Sequence, residues 1–353
     1  MKKLIWILSI ISLIIVISSC QNVPTLPNEI PKDPTGMTEP TSWGDDVKFN
    51  ASLDKTALMT PIGIPDTTKI KISFTNYDIP SDISVDNFKV FEDGKAQGFL
   101  LSKLSETTNK IDIMIIMDTT GSMGNEIDGL KNSLVNFINY LKDGGFDVKV
   151  GIVPYDDNAP AGGSDYSTYD PAWQNLTDLT TARDYVSKLY ASGGGDYPEN
   201  TYGAIMYAWN NASWRAEAQR IFILFTDNSS HYKDDGSYTN FEPQYTKDEV
   251  ISALEGYATL YMVASTGDYY SEGGTDFSNP ADPREIAIVT GGFVKYQSGY
   301  EEVDLTKIGI AESIKSTYII EFQSDSPEKE HEISVYYEGH DSDQGHAKIT
   351  AEY

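Results

Sequence analysis

Residues 111–122 constrain this chain more than any other stretch. Ile111 to Met117 is a nearly continuous apolar run, as expected of a strand buried on both faces of a parallel sheet. It ends at Asp118-Thr119-Thr120-Gly121-Ser122. Beyond it Ile127, Leu130, Leu134, Phe137, Ile138 and Leu141 recur at steps of three and four, which places them on one face of a helix. A carboxylate and two hydroxyls therefore sit on a tight strand-to-helix turn. Such a turn lies at the carboxyl end of a sheet strand, where open α/β sheets bind ligands. Oxygen groups of this kind suit a hard divalent cation.

The same alternation runs from about 110 to 316. Apolar strands are predicted at 111–117, 148–153, 221–225 and 260–264, with a shorter one at 293–296. Helices are predicted at about 123–142, 181–190, 201–212, 247–256, 282–289 and 304–315. Strands separated by helices give a doubly wound, mostly parallel sheet.

The flanks read with period two. Val47, Phe49, Ala51 and Leu53 alternate with polar residues, as do Ile70, Ile72 and Phe74. Phe88 and Val90 lead into the turn signal Glu92-Asp93-Gly94. At the other end Tyr318, Ile320 and Phe322 alternate, then Ile333, Val335 and Tyr337, then Ala347, Ile349 and Ala351. Residues 46–108 and 317–353 are expected to form one small antiparallel β-sandwich, with the α/β domain at 109–316 inserted between its strands. The competing arrangement has the last strands extending the edge of the central sheet. His340 and His346 are expected in a hairpin loop.

The first residues read as an export signal. Met1-Lys2-Lys3 precedes an uncharged apolar segment, Leu4 to Ser19, too short to span a bilayer comfortably. Ile17-Ser18-Ser19-Cys20 resembles a bacterial lipobox, which makes residues 1–19 a lipoprotein signal peptide and Cys20 the lipidation site. Residues 20–45 carry Pro24, Pro27, Pro31, Pro34 and Pro40 and read as an extended, solvated tether. Export to a bacterial cell envelope with a lipid anchor is the expected location, and the anchor is the only expected contact with membrane. With 53 acidic and 26 basic residues the chain has a net charge of −27, which opposes binding to nucleic acid or anionic lipid.

Two further loops carry oxygen ligands. One is Gly193-Gly194-Gly195-Asp196-Tyr197-Pro198-Glu199-Asn200, leading into a helix at Thr201. The other is Phe225-Thr226-Asp227 at the end of an apolar strand. With these three loops the segment 110–316 resembles a von Willebrand factor type A domain carrying a metal-ion-dependent adhesion site. Asp118, Thr120 and Ser122 match that family's Asp-x-Ser/Thr-x-Ser pattern, and Asp227 matches its later aspartate. The second loop is similar to that of integrin β subunits, which makes Glu199 the further ligand; in the integrin α pattern Thr201 takes that place. The resemblance implies Mg²⁺, or Mn²⁺ or Ca²⁺, with Asp118 and Asp227 acting partly through water. It also implies a protein partner that offers an Asp or Glu carboxylate.

By the same resemblance a second ion would use Asn125 and Glu126, or Asp157, Asp196 and Glu199. The expected asparagine of the latter set is replaced by Gly194. The long loops 158–174, 228–245 and 266–279 are rich in Tyr, Ser, Gly and Asn, a composition found in binding surfaces. No zinc spacing joins His231, His331, His340 and His346, and no nucleophile elbow or phosphate loop is present. The chain is therefore expected to be an adhesion or protein-binding module rather than an enzyme. A scaffold subunit of an envelope complex is the alternative, and a metal-dependent hydrolase a remote one.

Overall fold

The computed structural model describes residues 29–56, 67–75, 83–160, 169, 171–194, 197–236, 243–266, 278–326 and 329–352. The expected signal peptide, Cys20 and Asp196 lie outside the described residues, as do parts of the three long loops.

The sequence builds two bodies. The first is an antiparallel sandwich of two four-stranded sheets. Its strands from the first part of the chain are β1 (Phe49–Leu53), β2 (Thr68–Phe74), β3 (Phe88–Glu92), β4 (Lys95–Ala96) and β5 (Phe99–Lys103). The β3–β4 hairpin turns at Asp93 and Gly94, whose φ angles of +49° and +76° suit a tight two-residue turn. A helical turn at Leu104–Thr107 then leads into the second body.

That second body is an α/β domain. It comprises β6 (Lys110–Asp118), α1 (Gly124–Asp143), β7 (Asp147–Tyr155), β8 (Gln174–Thr177), α2 (Leu179–Val186), α3 (Thr201–Asn211) and β9 (Gln219–Thr226). It continues with α4 (Lys247–Leu254), β10 (Thr259–Thr266), α5 (Arg284–Val289), β11 (Val294–Ser298) and α6 (Ile310–Lys315). The sheet order is β11-β10-β9-β6-β7-β8. All neighbours are parallel except β8, which pairs antiparallel with β7.

Side-chain alternation divides the domain into two cores. Ile111, Ile113, Ile115 and Met117 of β6 pack with α1, α2 and α6 on one face. Met114 and Ile116 pack with α3, α4 and α5 on the other. Both faces are covered, which is why β6 reads as an unbroken apolar run. Within α1, Gly129 is required by close approach: a Cβ there would stand 2.3 Å from the Val303 carbonyl oxygen. Below the sheet Asp112 is fully buried and is held by Arg215, whose backbone N and Nε both donate to it at 2.7 Å.

The chain then returns to the sandwich through β12 (Thr317–Phe322), β13 (Glu330–Glu338) and β14 (Gln344–Glu352). One sheet has the order β1-β2-β12-β5 and the other β14-β13-β3-β4. Strand β12 lies between β2 and β5, and β13 pairs with β3. Ile70, Ile72, Phe74, Ile320 and Phe322 from one sheet meet Phe88, Val90, Ile333, Val335 and Tyr337 from the other in a single core. The α/β domain is thus inserted between two sandwich strands, and the last strands do not extend its sheet. Polar groups join the bodies: Lys71 Nζ donates to Thr259 Oγ1 at 2.7 Å, and Lys55 N donates to the Gly256 carbonyl at 2.6 Å.

Three expectations require correction, and one strand was not foreseen. The helix expected at 304–315 begins only at Ile310, because Gly309 at φ +87° breaks the backbone there. Strand β8, whose four residues are all half-buried, carries no apolar alternation to announce it. His346 lies within β14, paired with Tyr336, rather than in a loop. Residues 29–45 are not a solvated tether. They lie on the sandwich, where Trp43 Nε1 donates to the Tyr337 carbonyl at 3.0 Å and Tyr336 Oη donates to Glu39 at 2.8 Å.

Candidate functional site

Strand β6 sits at the middle of the sheet, with β9 on one side and β7 on the other. From β6 the chain first builds outward through β7 and β8, then returns to build β9, β10 and β11 on the opposite side. The carboxyl end of β6 is therefore the switch point of the topology, the place where such sheets leave a crevice. Met117 pairs with Phe225, so Asp118 and Asp227 emerge from adjacent strands at the same edge.

Backbone bonds lace three loops over that edge. Thr119 N donates to the Tyr155 carbonyl at 2.9 Å, and Ser192 N donates to the Thr119 carbonyl at 2.9 Å. Gly121 N donates to the Gly193 carbonyl at 3.1 Å, which lays the glycine loop against the first turn. Glu199 N donates to the Ser229 carbonyl at 3.1 Å, and His231 N returns a bond to the Glu199 carbonyl at 2.8 Å. Glu199 is thereby fixed beside the loop that carries Asp227.

The result is a pocket of about 350 Å³ lined by Thr120, Ser122, Glu199, Asp227, Asn228 and Tyr197 among others. Asp118 forms its base and is fully buried. Thr120 N and Oγ1 donate to Asp118 Oδ1 at 3.0 and 2.7 Å, and Thr226 Oγ1 donates to Oδ2 at 3.0 Å. Gly194, at φ +92°, forms part of the wall where a Cβ would stand 3.5 Å from the Thr120 side chain. Of the five first-choice ligand residues, four line the pocket and Asp118 supports it. Thr201 stands behind: its hydroxyl is hydrogen-bonded to Tyr155 Oη at 3.0 Å. The geometry thus gives Glu199 the pocket and Thr201 a buried bond.

Electrostatics single out the same residues. Burial, and then the nearby charge of Asp227, push Asp118 up to about 7. Burial and Asp227 also raise Glu126, opposed by its hydrogen bond from Ser265. Among the described residues no lysine or arginine pairs with Asp118, Glu126 or Asp227. Glu126 is 1% exposed, and its Oε2 has no hydrogen-bond partner. Asp227 thus repels two buried carboxylates that, among the described residues, have no counter-charge, which leaves the electrostatics of this edge incomplete.

These residues fit a hard cation. Carboxylate and hydroxyl oxygens predominate, with no sulfur or imidazole nitrogen lining the pocket. Among the described residues no three His, Cys, Asp or Glu side chains close around one point, so Thr120 and Ser122 are needed to complete a ligand set.

Of the second-ion candidates, Asn125 and Glu126 are bonded elsewhere, and the other set includes Asp196, outside the described residues. Asn125 Nδ2 donates to the Gly299 carbonyl at 2.8 Å, and Glu126 is bonded to Ser265 at the end of β10. Asp157 stands on the β7 side, with Oδ1 3.8 Å from His231 Nε2. Thr226 and Tyr155, which the sequence analysis did not single out, are fully buried beneath the site, where Thr226 donates to Asp118 and Tyr155 bonds Thr201. The signal for Thr226 was its position at the end of β9, where alternation turns its hydroxyl toward β6. Nothing local marked Tyr155.

Comparison with known proteins bears on the same segment. Residues 112–250 match the family model described as von Willebrand factor A domain. Integrin beta-4 of Mus musculus is 24% identical over 162 residues, covering 41% of this chain and 9% of that protein. Von Willebrand factor A domain-containing protein 7 of Rattus norvegicus is 32% identical over 110 residues, covering 30% of this chain and 11% of its own. The chain thus matches about a tenth of the length of these relatives. Among solved structures, the pilus adhesin SpaC from Lactobacillus rhamnosus GG in its open conformation gives a TM-score of 0.41 at 10% identity. That match covers 94% of this chain and 51% of the adhesin. The match to the von Willebrand factor A domain model thus falls within the α/β unit inserted in the sandwich.

Proposed function

We propose that this chain is a divalent-cation-dependent adhesion or protein-binding module, not an enzyme, tethered to a bacterial cell envelope through Cys20. The reading is carried by one observation: Asp227 and the Thr120 and Ser122 hydroxyls line one pocket over the buried Asp118, and among the described residues no cationic side chain pairs with the two aspartates. The match to a von Willebrand factor A domain supports a binding role.

In this reading Thr120, Ser122 and Glu199 hold the ion, and Asp118 and Asp227 supply negative charge from the sheet edge. A bound Mg²⁺, Mn²⁺ or Ca²⁺ supplies an oxygen-seeking position and reverses the local sign of charge. An acidic protein can then accept an Asp or Glu of a protein partner. The buried bonds from Thr120 and Thr226 keep Asp118 oriented, and the open wall at Gly193 and Gly194 leaves room for the partner's chain.

Isothermal titration with MgCl₂ and MnCl₂ tests the site. Wild type should bind with one-site stoichiometry, and Asp118→Ala should weaken binding at least about tenfold, a loss of roughly 1.4 kcal/mol. Equal binding by the two proteins would refute the assignment.

A further inference from the structure

A second pocket lies beside the first, on the other side of Asn200. It is about 100 Å³ and is formed where α3 meets the segment before α4. Asn200, Tyr207, Asn210 and Asn211 lie along one face of α3, and Gln244 and Tyr245 close the opposite side. Four carboxamides and two phenol rings thus line one cavity. Among the described residues no charged side chain lines it, although the chain as a whole carries −27.

The lining is also held in place. Tyr207 meets Trp173 edge-on with ring centroids 5.4 Å apart. Asn211 Nδ2 donates to the Tyr207 carbonyl at 2.8 Å, which leaves its Oδ1 as an acceptor. Asn200 is 2% exposed and spends Oδ1 on the Gly203 amide at 3.0 Å. The side chains of Asn210 and Gln244 make no hydrogen bond among the described residues.

We propose that this pocket binds one uncharged pyranose ring of a glycan. The chemistry selects by exclusion and by match. Among the described residues phosphates and carboxylates find no cationic partner here, and metal ions and amines no anionic one. Each carboxamide presents a donor and an acceptor side by side, as neighbouring sugar hydroxyls require. The tyrosine rings offer apolar faces to the carbon-bound hydrogens of the ring, and their hydroxyls add polar contacts. The volume, small for a ligand site, admits one ring rather than an oligomer. Because Asn200 directly follows Glu199, the sugar would lie beside the acidic pocket without entering it.

Saturation-transfer NMR on the full chain tests this. The probes are methyl pyranosides of glucose, galactose and mannose and N-acetylglucosamine at about 10 mM, suited to the millimolar affinity of a ligand of about a dozen heavy atoms. At least one should receive saturation, and the signal should persist in excess EDTA, which separates this site from the metal reading. Tyr207→Ala and the exposed Asn210→Ala should each cut the signal at least about fivefold. No transfer to any pyranoside, or undiminished transfer in Asn210→Ala, would overturn the proposal. Stronger transfer to N-acetylglycinamide than to every sugar would also overturn it, by assigning the pocket to peptide amides.

Discussion

Asp118 shows the conflict between stability and use at a single residue. Its ordinary value is 3.8 and in the fold it is pushed up to about 7. A carboxyl group raised in this way binds more protons in the native state than in the unfolded state between those two values. Without divalent cation, stability should therefore rise as pH falls from about 7 toward 4. It follows that Asp118→Asn in EDTA at pH 7 should be more stable than wild type, by roughly 1–3 kcal/mol after allowing for imperfect bonds from Thr120 and Thr226. Urea denaturation reads this directly, and a less stable variant would show that the buried carboxylate is not a burden. Asp112 is the opposite case, a buried acid with its counter-charge built in. Arg215 donates to Asp112, to Asp147 and to the Ile111 carbonyl. Arg215→Ala should cost about 3–5 kcal/mol, because it strands a fully buried carboxylate. Arg215→Lys should recover little of that, since one ammonium cannot serve three separated acceptors. At this scale the oxygens that line the pocket were legible because each ends a loop or strand with a distinctive signal. Arg215 was not, because its partner lies 103 residues away.

At the scale of elements, what the chain reveals depends on whether its signal is local. Strands β6, β7, β9 and β10 are apolar runs set by burial on two faces, and they fall where the periodicity puts them. The start of α6 was misread because Val303, Leu305 and Ile308 are buried and continue the apolar spacing of the helix. Apolar spacing reports a buried face, and an irregular segment under the same face produces it too. The proline-rich segment was misread for a different reason. Its composition correctly opposes regular structure, but its docking partners, Tyr336, Tyr337 and Lys95, lie far along the chain. The docking has a test at Gly98. A Cβ there would stand 2.1 Å from the Pro31 carbonyl oxygen, a backbone atom that cannot rotate away. Overpacking of this kind costs about 1–3 kcal/mol. Gly98→Ala should therefore release residues 29–45, with proteolytic cleavage there rising on the order of tenfold while the sandwich core stays folded. Unchanged cleavage kinetics would mean that the segment is held elsewhere, at Trp43 and Glu39.

The whole molecule combines a sandwich built from both ends of the chain with an inserted domain whose site lies at a strand switch point. Its net charge of −27 makes any cation stabilising through screening alone, so a rise in melting temperature on adding Mg²⁺ is by itself uninformative. The site makes a sharper demand. An ion that binds only the native state adds about 2.7 kcal/mol when present at a hundred times its Kd. For a domain of this size that is a shift of roughly 5–10 °C. About 10 mM MgCl₂ should therefore raise the wild-type midpoint by several degrees more than about 30 mM NaCl, which matches its ionic strength. In Asp118→Ala the two salts should give nearly the same shift, because screening acts on the whole surface and site binding does not. If wild type also failed to separate the salts, the acids at the sheet edge would be a source of general charge repulsion and not a cation site.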